Sequence, residues 1–268
     1  MEPLLDPTLV DRLNVRFEDA QPREVLDWAL LDSGLERVAV ASSFQAETTA
    51  LMHMAVQVKP DVPILFLETG FHFAETLEFK RRLTERLGLN VIDLRGDHTP
   101  ASQAEAYGDR LYERDPATCC ELNKVIPLKR ALRELEGWIT GLRRDSSPTR
   151  ANAPFVDQYE LEPGTTLVKV NPMANWTRRE VWAYLKEHDI PTLPLYGLGY
   201  LSIGCAPCSR GLFPGEDERA GRWAGNMKTE CGIHIAETVR GADQATSNET
   251  SDSSKSTTSS PPSTRTSV

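Results

Sequence analysis

From residue 38 onward, short apolar runs alternate with stretches of helical apolar recurrence, a pattern that calls for a parallel sheet covered by helices. RVAVAS (37–42) reads as the first strand. The turn SSFQAE follows it, and TTALMHMAVQV then carries a helix that must end before Pro60. VPILFLET (62–69) is almost wholly apolar, as a strand buried on both faces should be. A helix is expected over 74–87, stopped by Gly88, and a third strand over 90–94. GWITGLRR (137–144) and TLVKVNP (165–172) read as further strands, and 178–188 as a helix. The expected fold class is α/β, a doubly wound and mainly parallel sheet.

Around this block, residues 1–36 are expected to form an N-terminal helical segment and 37–240 the main domain. From 241 to 268 the composition turns to Ser and Thr with almost no large apolar side chain, so burial cannot recover the entropy of ordering, and a disordered tail is expected. No internal repeat is visible. The N-terminus has neither a basic nor an apolar leader region, and no run approaches the roughly 18 apolar residues of a membrane span. A soluble, cytoplasmic protein with no membrane contact is expected. A net charge of −9 argues against nucleic-acid binding, which needs a broad basic footprint to displace phosphate counterions. A homo-oligomer is compatible with the sequence.

Beyond Tyr196 regular patterning fails, and Gly, Pro and Cys punctuate a segment that backbone ladders alone would hold poorly. The five cysteines suggest what else holds it. Cys119 and Cys120 are adjacent, while Cys205 and Cys208 form Cys-Ala-Pro-Cys, so two distant segments offer four sulfur ligands. Structural zinc and a [4Fe–4S] cluster are both open on chemistry alone. The cluster is favoured because adjacent cysteines share a single ion awkwardly, whereas separate irons give each thiolate its own site. Cys231, in Glu-Cys-Gly-Ile-His, stands apart; it is either an incidental cysteine or a nucleophilic thiolate activated by nearby cations.

Several segments could hold an anion. Ser42 and Ser43 lie where the first strand turns into a helix, a place where α/β proteins offer free N–H groups, although Ser is also an ordinary helix cap. The segment lacks the Gly-Lys-Ser/Thr of a phosphate-gripping Walker loop. Arg143, Arg144 and Arg150 surround a Ser/Pro turn after a strand, and Arg219 and Arg222 precede Cys231. Guanidinium forks suit sulfate and phosphate oxygens, though solvated basic loops are the commoner case. Lys124, just beyond Cys120, could serve both the cysteine site and an anion.

Taken in order, CCELNK (119–124), GYLSIGCAPCSRG (199–211), GEDERAGRW (215–223) and KTECGIH (228–234) closely resemble the thioredoxin-dependent adenylyl-sulfate reductases, an assimilatory sulfonucleotide reductase family of bacteria and plants. LETGFHFAETLEF and the segment 169–200 look like the family's middle portions, and the likeness runs from about 39 to 235. It implies a fold of the adenine-nucleotide α-hydrolase (PP-loop) type, a [4Fe–4S] cluster on Cys119, Cys120, Cys205 and Cys208 that does not shuttle electrons, and Cys231 as nucleophile. Ser42 and Ser43 match the modified PP-loop, Lys124 the lysine beside the tandem cysteines, and Arg219, Arg222 and His234 sulfate-side or C-terminal residues. Relatives without the cluster cysteines include many reductases of the 3′-phosphorylated substrate, so the full set favours adenylyl sulfate. Ala224 and Gly225 stand where many relatives carry tryptophans, and the Ser/Thr tail matches nothing in the motif set.

The implied activity is reduction of adenylyl sulfate to sulfite and AMP through a cysteine S-sulfonate that a thioredoxin- or glutaredoxin-like dithiol resolves. The rivals are a reductase of the 3′-phosphorylated substrate, an ATP-using PP-loop sulfurtransferase, from whose glycine-rich loop Ser42-Ser43-Phe44-Gln45 departs, and a non-enzymatic zinc-binding interaction protein.

Overall fold

The computed structural model describes residues 4–224 together with Lys228 and Gly232. The chain enters through α1 (Pro7–Phe17) and α2 (Pro22–Asp27), then runs β1 (Val38–Ser42), α3 (Ala46–Val58), β2 (Pro63–Leu67), α4 (Ala74–Leu87) and β3 (Asn90–Leu94). Four helices follow: α5 (Pro100–Tyr107), α6 (Leu111–Arg114), α7 (Pro116–Cys120) and α8 (Ile126–Leu132). Then come β4 (Gly137–Ile139), β5 (Val156–Glu162), β6 (Thr165–Val170) and α9 (Arg178–Glu187). The six strands form one sheet of order β3-β2-β1-β4-β6-β5, parallel except for β5, which pairs antiparallel with β6. The expected α/β, doubly wound architecture is therefore present.

The strand pattern explains both faces. Val38, Val40, Ile64, Phe66, Ile139, Val168 and Val170 point to one side, where α1, α3, α4 and α9 deliver Phe17, Leu51, Leu83 and Val181. Ala39, Leu65, Trp138 and Leu167 point to the other and meet Leu128 and Leu132 of α8. Alternation with a period of two thus feeds two apolar layers, and this is why the central strands read as continuous apolar runs. The N-terminal helices belong to the first layer through Val10, Leu13, Phe17, Val25 and Leu26. Asn14 of α1 also ties down the edge strand: its side-chain oxygen accepts the Phe155 and Val156 N–H groups at 2.8 and 3.0 Å, and its nitrogen donates to the Val156 carbonyl at 2.8 Å. Such cover removes a pairing edge from solvent.

Two expectations need correction. The strand expected over 137–144 is only Gly137–Ile139. Thr140 still donates its N–H to the Val170 carbonyl at 2.9 Å, but its hydroxyl turns to the Asn171 side chain at 2.5 Å and the chain leaves the ladder. Gly141 then lies against the start of α3, where a Cβ would stand 2.9 Å from the Thr48 methyl carbon. The antiparallel strand β5 was not expected at all. Elsewhere the strands at 37–42, 62–69 and 165–172 are shorter by one to three residues, at Val38–Ser42, Pro63–Leu67 and Thr165–Val170. Among the described residues no helix is long and apolar enough to cross a membrane. Cys231, His234 and the tail 241–268 lie outside the described residues.

Candidate active site

Strand order reverses between β1 and β4, and a cleft opens at the carboxyl ends of β1, β2 and β4, the place where parallel α/β sheets take ligands. Its first wall is the turn from β1 into α3. Ser42 Oγ accepts the Phe44 N–H at 3.0 Å, and the Gln45 side-chain amide donates to Ser43 Oγ at 3.0 Å. From outside the turn, the Ile203 N–H donates to Gln45 Oε1 at 2.7 Å and Tyr196 Oη accepts the Ala46 N–H at 2.8 Å. Phe44 sits at φ 57°, a left-handed conformation few side chains adopt. Its buried ring, edge-on to Phe66 at 5.4 Å, holds it there. Ser42, Ser43, Glu47 and Thr48 all line the cleft.

The cleft also carries cations. Arg150, Arg219, Arg222 and Lys124 line the cleft, as does Arg143. Arg222 stacks over Trp223 with 4.5 Å between its guanidinium carbon and the ring centroid, and Gly204 leaves the space its guanidinium occupies. Its Nε is buried with no hydrogen-bond partner, so one donor in the wall is left over. Arg143 is different. Its side chain is 0 % exposed and meets Glu47 at 3.0 Å, Glu218 at 3.3 Å and Asp145 still closer. Burial disfavours its charge, but the three carboxylates outweigh burial and hold its pKa above the usual arginine value. In return, burial pushes the Glu218 carboxyl upward, with Arg143 pulling down, Glu47 pushing up, Arg178 pulling down and Asp145 pushing up. Arg143 thus ties the start of α3 to the 215–223 segment and has little charge left for an external anion.

A second cavity adjoins the first, lined by Cys119, Cys120, Cys205 and Cys208. The tandem cysteines end α7, which Asp115 caps by accepting the Thr118 N–H at 3.0 Å. The helix continues through a wide π turn, Glu121–Val125, into α8. Pro127 cannot donate to the carbonyl four residues back, and the wide turn just before it absorbs the mismatch. On a helix, adjacent residues lie only about 100° apart, so both thiols reach one cavity. Gly96 permits the approach of the β3 exit loop, since a Cβ there would stand 2.6 Å from the Leu122 carbonyl oxygen.

None of these four cysteines is in a disulfide. Burial pushes the Cys208 thiol up to about 12, with Cys205 and the other thiols adding and Lys124 opposing. Cys119 is also raised, first by burial, against hydrogen bonds from Gln103 and Asn123. These thiols crowd one void, and a cationic centre there would favour their thiolate form. Among the described residues no three His, Cys, Asp or Glu side chains gather to hold a single metal ion. Four cysteine sulfurs lining one cavity are a donor set that could hold a metal centre.

Lys124 stands in the walls of both cavities. Beside it His72 Nε2 lies 2.8 Å from the Leu67 carbonyl, an acceptor, so this nitrogen carries the hydrogen. Burial lowers the His72 pKa, and its buried Nδ1 has no hydrogen-bond partner.

The fold therefore brings Ser42, Ser43, Lys124, Arg143, Arg219 and Arg222 to one cleft and the four paired cysteines to the cavity next to it. It does not bring Arg144. That side chain points toward α1, donating to Glu18 at 2.8 Å and to the Ala153 carbonyl at 2.8 Å, because the chain turns at Arg143 and sends neighbouring side chains to opposite sides. Glu47, His72, Thr140 and Glu218 were not expected in the site. Of these, only His72 and Glu47 had a signal in the sequence, each following a strand end.

Residues 37–211 match the model of the phosphoadenosine phosphosulfate reductase domain. The chain is 42% identical over 226 residues to the adenosine 5′-phosphosulfate reductase of Halalkalibacterium halodurans, covering 84% of this chain and 96% of that one. It is likewise 42% identical over 233 residues to the phosphoadenosine 5′-phosphosulfate reductase of Gloeobacter violaceus, covering 86% and 95%. Among solved structures, phosphoadenylyl-sulfate reductase from Candida auris superposes with a TM-score of 0.65 at 28% identity, over 76% of this chain and 97% of that one.

Proposed function

The chain belongs to the phosphoadenosine phosphosulfate reductase domain family, and on that premise we propose that it reduces adenylyl sulfate to sulfite and AMP in sulfate assimilation, with a thioredoxin- or glutaredoxin-like dithiol as reductant. The observation that carries the reading is Lys124, which forms part of both the cation-lined cleft and the four-thiol cavity. Adenylyl sulfate enters with its phosphosulfate against Ser42, Ser43 and the start of α3. Lys124, Arg219 and Arg222 neutralise the sulfate oxygens, which would otherwise repel an approaching thiolate. Arg143 contributes by fixing the walls, and Arg144 has no part in binding.

Cys231 and His234 carry their roles from the resemblance alone. The Cys231 thiolate forms a bond to the sulfuryl sulfur while the sulfur–oxygen bond to AMP breaks, and AMP leaves with the electron pair. The resulting S-sulfonate is attacked at the Cys231 sulfur by the dithiol; sulfite departs with the bonding electrons and a mixed disulfide forms. The second thiol of the reductant closes its own disulfide and restores the Cys231 thiolate, so two electrons pass from dithiol to sulfur. Cys119, Cys120, Cys205 and Cys208 would hold a [4Fe–4S] cluster, which when bound contributes a fixed charge centre beside Lys124 and ties the two cysteine segments together. Dithiol chemistry and buried free thiols fit a reducing compartment, the cytoplasm.

The 3′-phosphorylated substrate is the second reading, because a relative of that name is as similar as those named for adenylyl sulfate. The four-cysteine set and the carboxylates of Glu47 and Glu218 in the cleft wall favour the less charged nucleotide. Anaerobic purification, iron and sulfide analysis, and assay of both nucleotides with excess thioredoxin test the proposal. About four irons per chain and a strong preference for adenylyl sulfate are expected, and Cys208→Ser should lose iron and activity together. Comparable kcat/KM values for the two nucleotides would overturn the substrate assignment. Zinc without iron or sulfide would overturn the cluster.

A further inference from the structure

Helix α5 contributes one buried side chain to the interior, and it is a glutamine, Gln103, 2 % exposed. A helix normally anchors itself with apolar residues, and an amide taken out of water needs partners to justify its burial. The partners of Gln103 are Asn123, itself 3 % exposed, and Cys119. The Asn123 amide nitrogen donates to the Cys119 carbonyl at 2.8 Å and to Gln103 Oε1 at 2.5 Å, and lies 3.6 Å from Cys119 Sγ. The Gln103 amide nitrogen lies 3.8 Å from the same sulfur.

These contacts fix which way each amide faces. Turning Asn123 over would set its oxygen against two acceptors, the Cys119 carbonyl and Gln103 Oε1. Turning Gln103 over would set its nitrogen against the Asn123 nitrogen. One arrangement satisfies both: the two Asn123 N–H groups go to the Cys119 carbonyl and to Gln103 Oε1, and this turns the Gln103 amide N–H toward the Cys119 sulfur. The π turn contributes, since Asn123 sits four residues after Cys119 and its side chain returns over that turn. Cys205 has a lighter contact, the Thr69 hydroxyl at 3.4 Å from its sulfur. A neutral thiol accepts hydrogen bonds weakly, so a buried amide donor held toward this sulfur by a second buried amide fits a metal-bound thiolate.

We infer that the Gln103–Asn123 pair is a positioning device for Cys119: Asn123 orients Gln103, whose N–H···S hydrogen bond holds this sulfur in place as a ligand and draws charge from it. The inference rests on the reading of the four cysteines as an iron–sulfur site. Removing the Gln103 donor, or the Asn123 amide that orients it, should strengthen the iron–thiolate bond electronically while leaving the ligand less well held. Outer partners of metal ligands typically change metal retention by about 10–100-fold.

The test compares wild-type protein with Gln103→Met, which is close in shape, and Asn123→Leu, all purified anaerobically. Iron and sulfide per chain, the rate of iron transfer to a chelator, and the iron–thiolate stretching bands in resonance Raman spectra are measured, with far-UV circular dichroism on the same samples. Both variants should shift an iron–thiolate band upward and release iron roughly 10-fold faster or more. If Asn123→Leu does not fold, Gln103→Met alone carries the comparison. An unmoved band overturns the inference whatever the release rate, because looser packing alone would speed release without touching the bond. Iron-free wild-type protein would overturn the cluster reading itself, whereas iron-loaded variants with unmoved bands overturn only the role of the pair.

Discussion

Replacing Arg143 by Met removes a guanidinium that is 0 % exposed and leaves Glu47, Glu218 and Asp145 facing one another at side-chain exposures of 20 %, 23 % and 41 %. Breaking a buried ion pair from one side costs about 3–5 kcal/mol, because the remaining charge keeps its desolvation without its partner. Here the carboxylates retain some water and can turn toward it, so the low end applies, about 3 kcal/mol. For a domain of this size that corresponds to a thermal midpoint lower by about 6–12 °C. The adjacent Arg144→Met is the control. Arg144 pairs with a Glu18 side chain that is 50 % exposed, and its loss should cost under about 1 kcal/mol. Thermal unfolding followed by circular dichroism, with AMP binding measured by calorimetry on the same samples, should show a large drop in stability and weaker binding for Arg143→Met, and neither for Arg144→Met. If the two variants were equally stable, the guanidinium would not be holding three carboxylates, and Arg143 would be available as a direct ligand of the sulfate.

Further outcomes follow from the same electrostatics. Glu218 has its pKa raised, so the stability it contributes is present below its unfolded value of about 4.3 and is lost as pH rises through the folded value. Glu218→Gln should therefore be more stable than wild type at neutral pH, with the gain shrinking as pH falls toward about 4; a difference independent of pH would contradict this. Lys124→Met should lower kcat/KM for adenylyl sulfate on the order of 100-fold, the scale of losing one donor to developing charge, and an unchanged kcat/KM would remove Lys124 from the mechanism.

Much of the parallel block was legible because each central strand is largely buried on both faces, so VAVA of β1 and PILFL of β2 had to be apolar. The hairpin carries a local signal too: Val156, Tyr159 and Leu161 are buried between more exposed neighbours on β5, and the Pro163–Gly164 turn, with Gly164 at φ 87°, is an ordinary hairpin signal. The strand over-extended at 137–144 shows the reverse case. Nothing local in GWITGLRR says that Thr140 will turn to Asn171, because that partner comes 31 residues later. The same separation hid the fate of the arginines. Arg143 and Arg144 are indistinguishable by local sequence, and only the arrival of Glu47 and Glu218 from distant segments spends one charge inside the wall, while Glu18 draws the other away. The cysteine pairs, by contrast, announced themselves by spacing. The polar pair beside them, Gln103 and Asn123, did not, since a lone glutamine in PASQAEAY looks like any solvated helix face.

The most direct test of the central claim is a single turnover without reductant. Wild-type protein incubated anaerobically with adenylyl sulfate, then digested and analysed by mass spectrometry, should carry one added SO₃, a gain of about 80 Da, on the peptide containing Cys231, and thioredoxin should remove it with release of one sulfite. Cys231→Ser should bind the nucleotide and form no adduct. An adduct on Cys119, Cys120, Cys205 or Cys208, or sulfite formation by Cys231→Ser, would contradict the proposed nucleophile and the mechanism built on it.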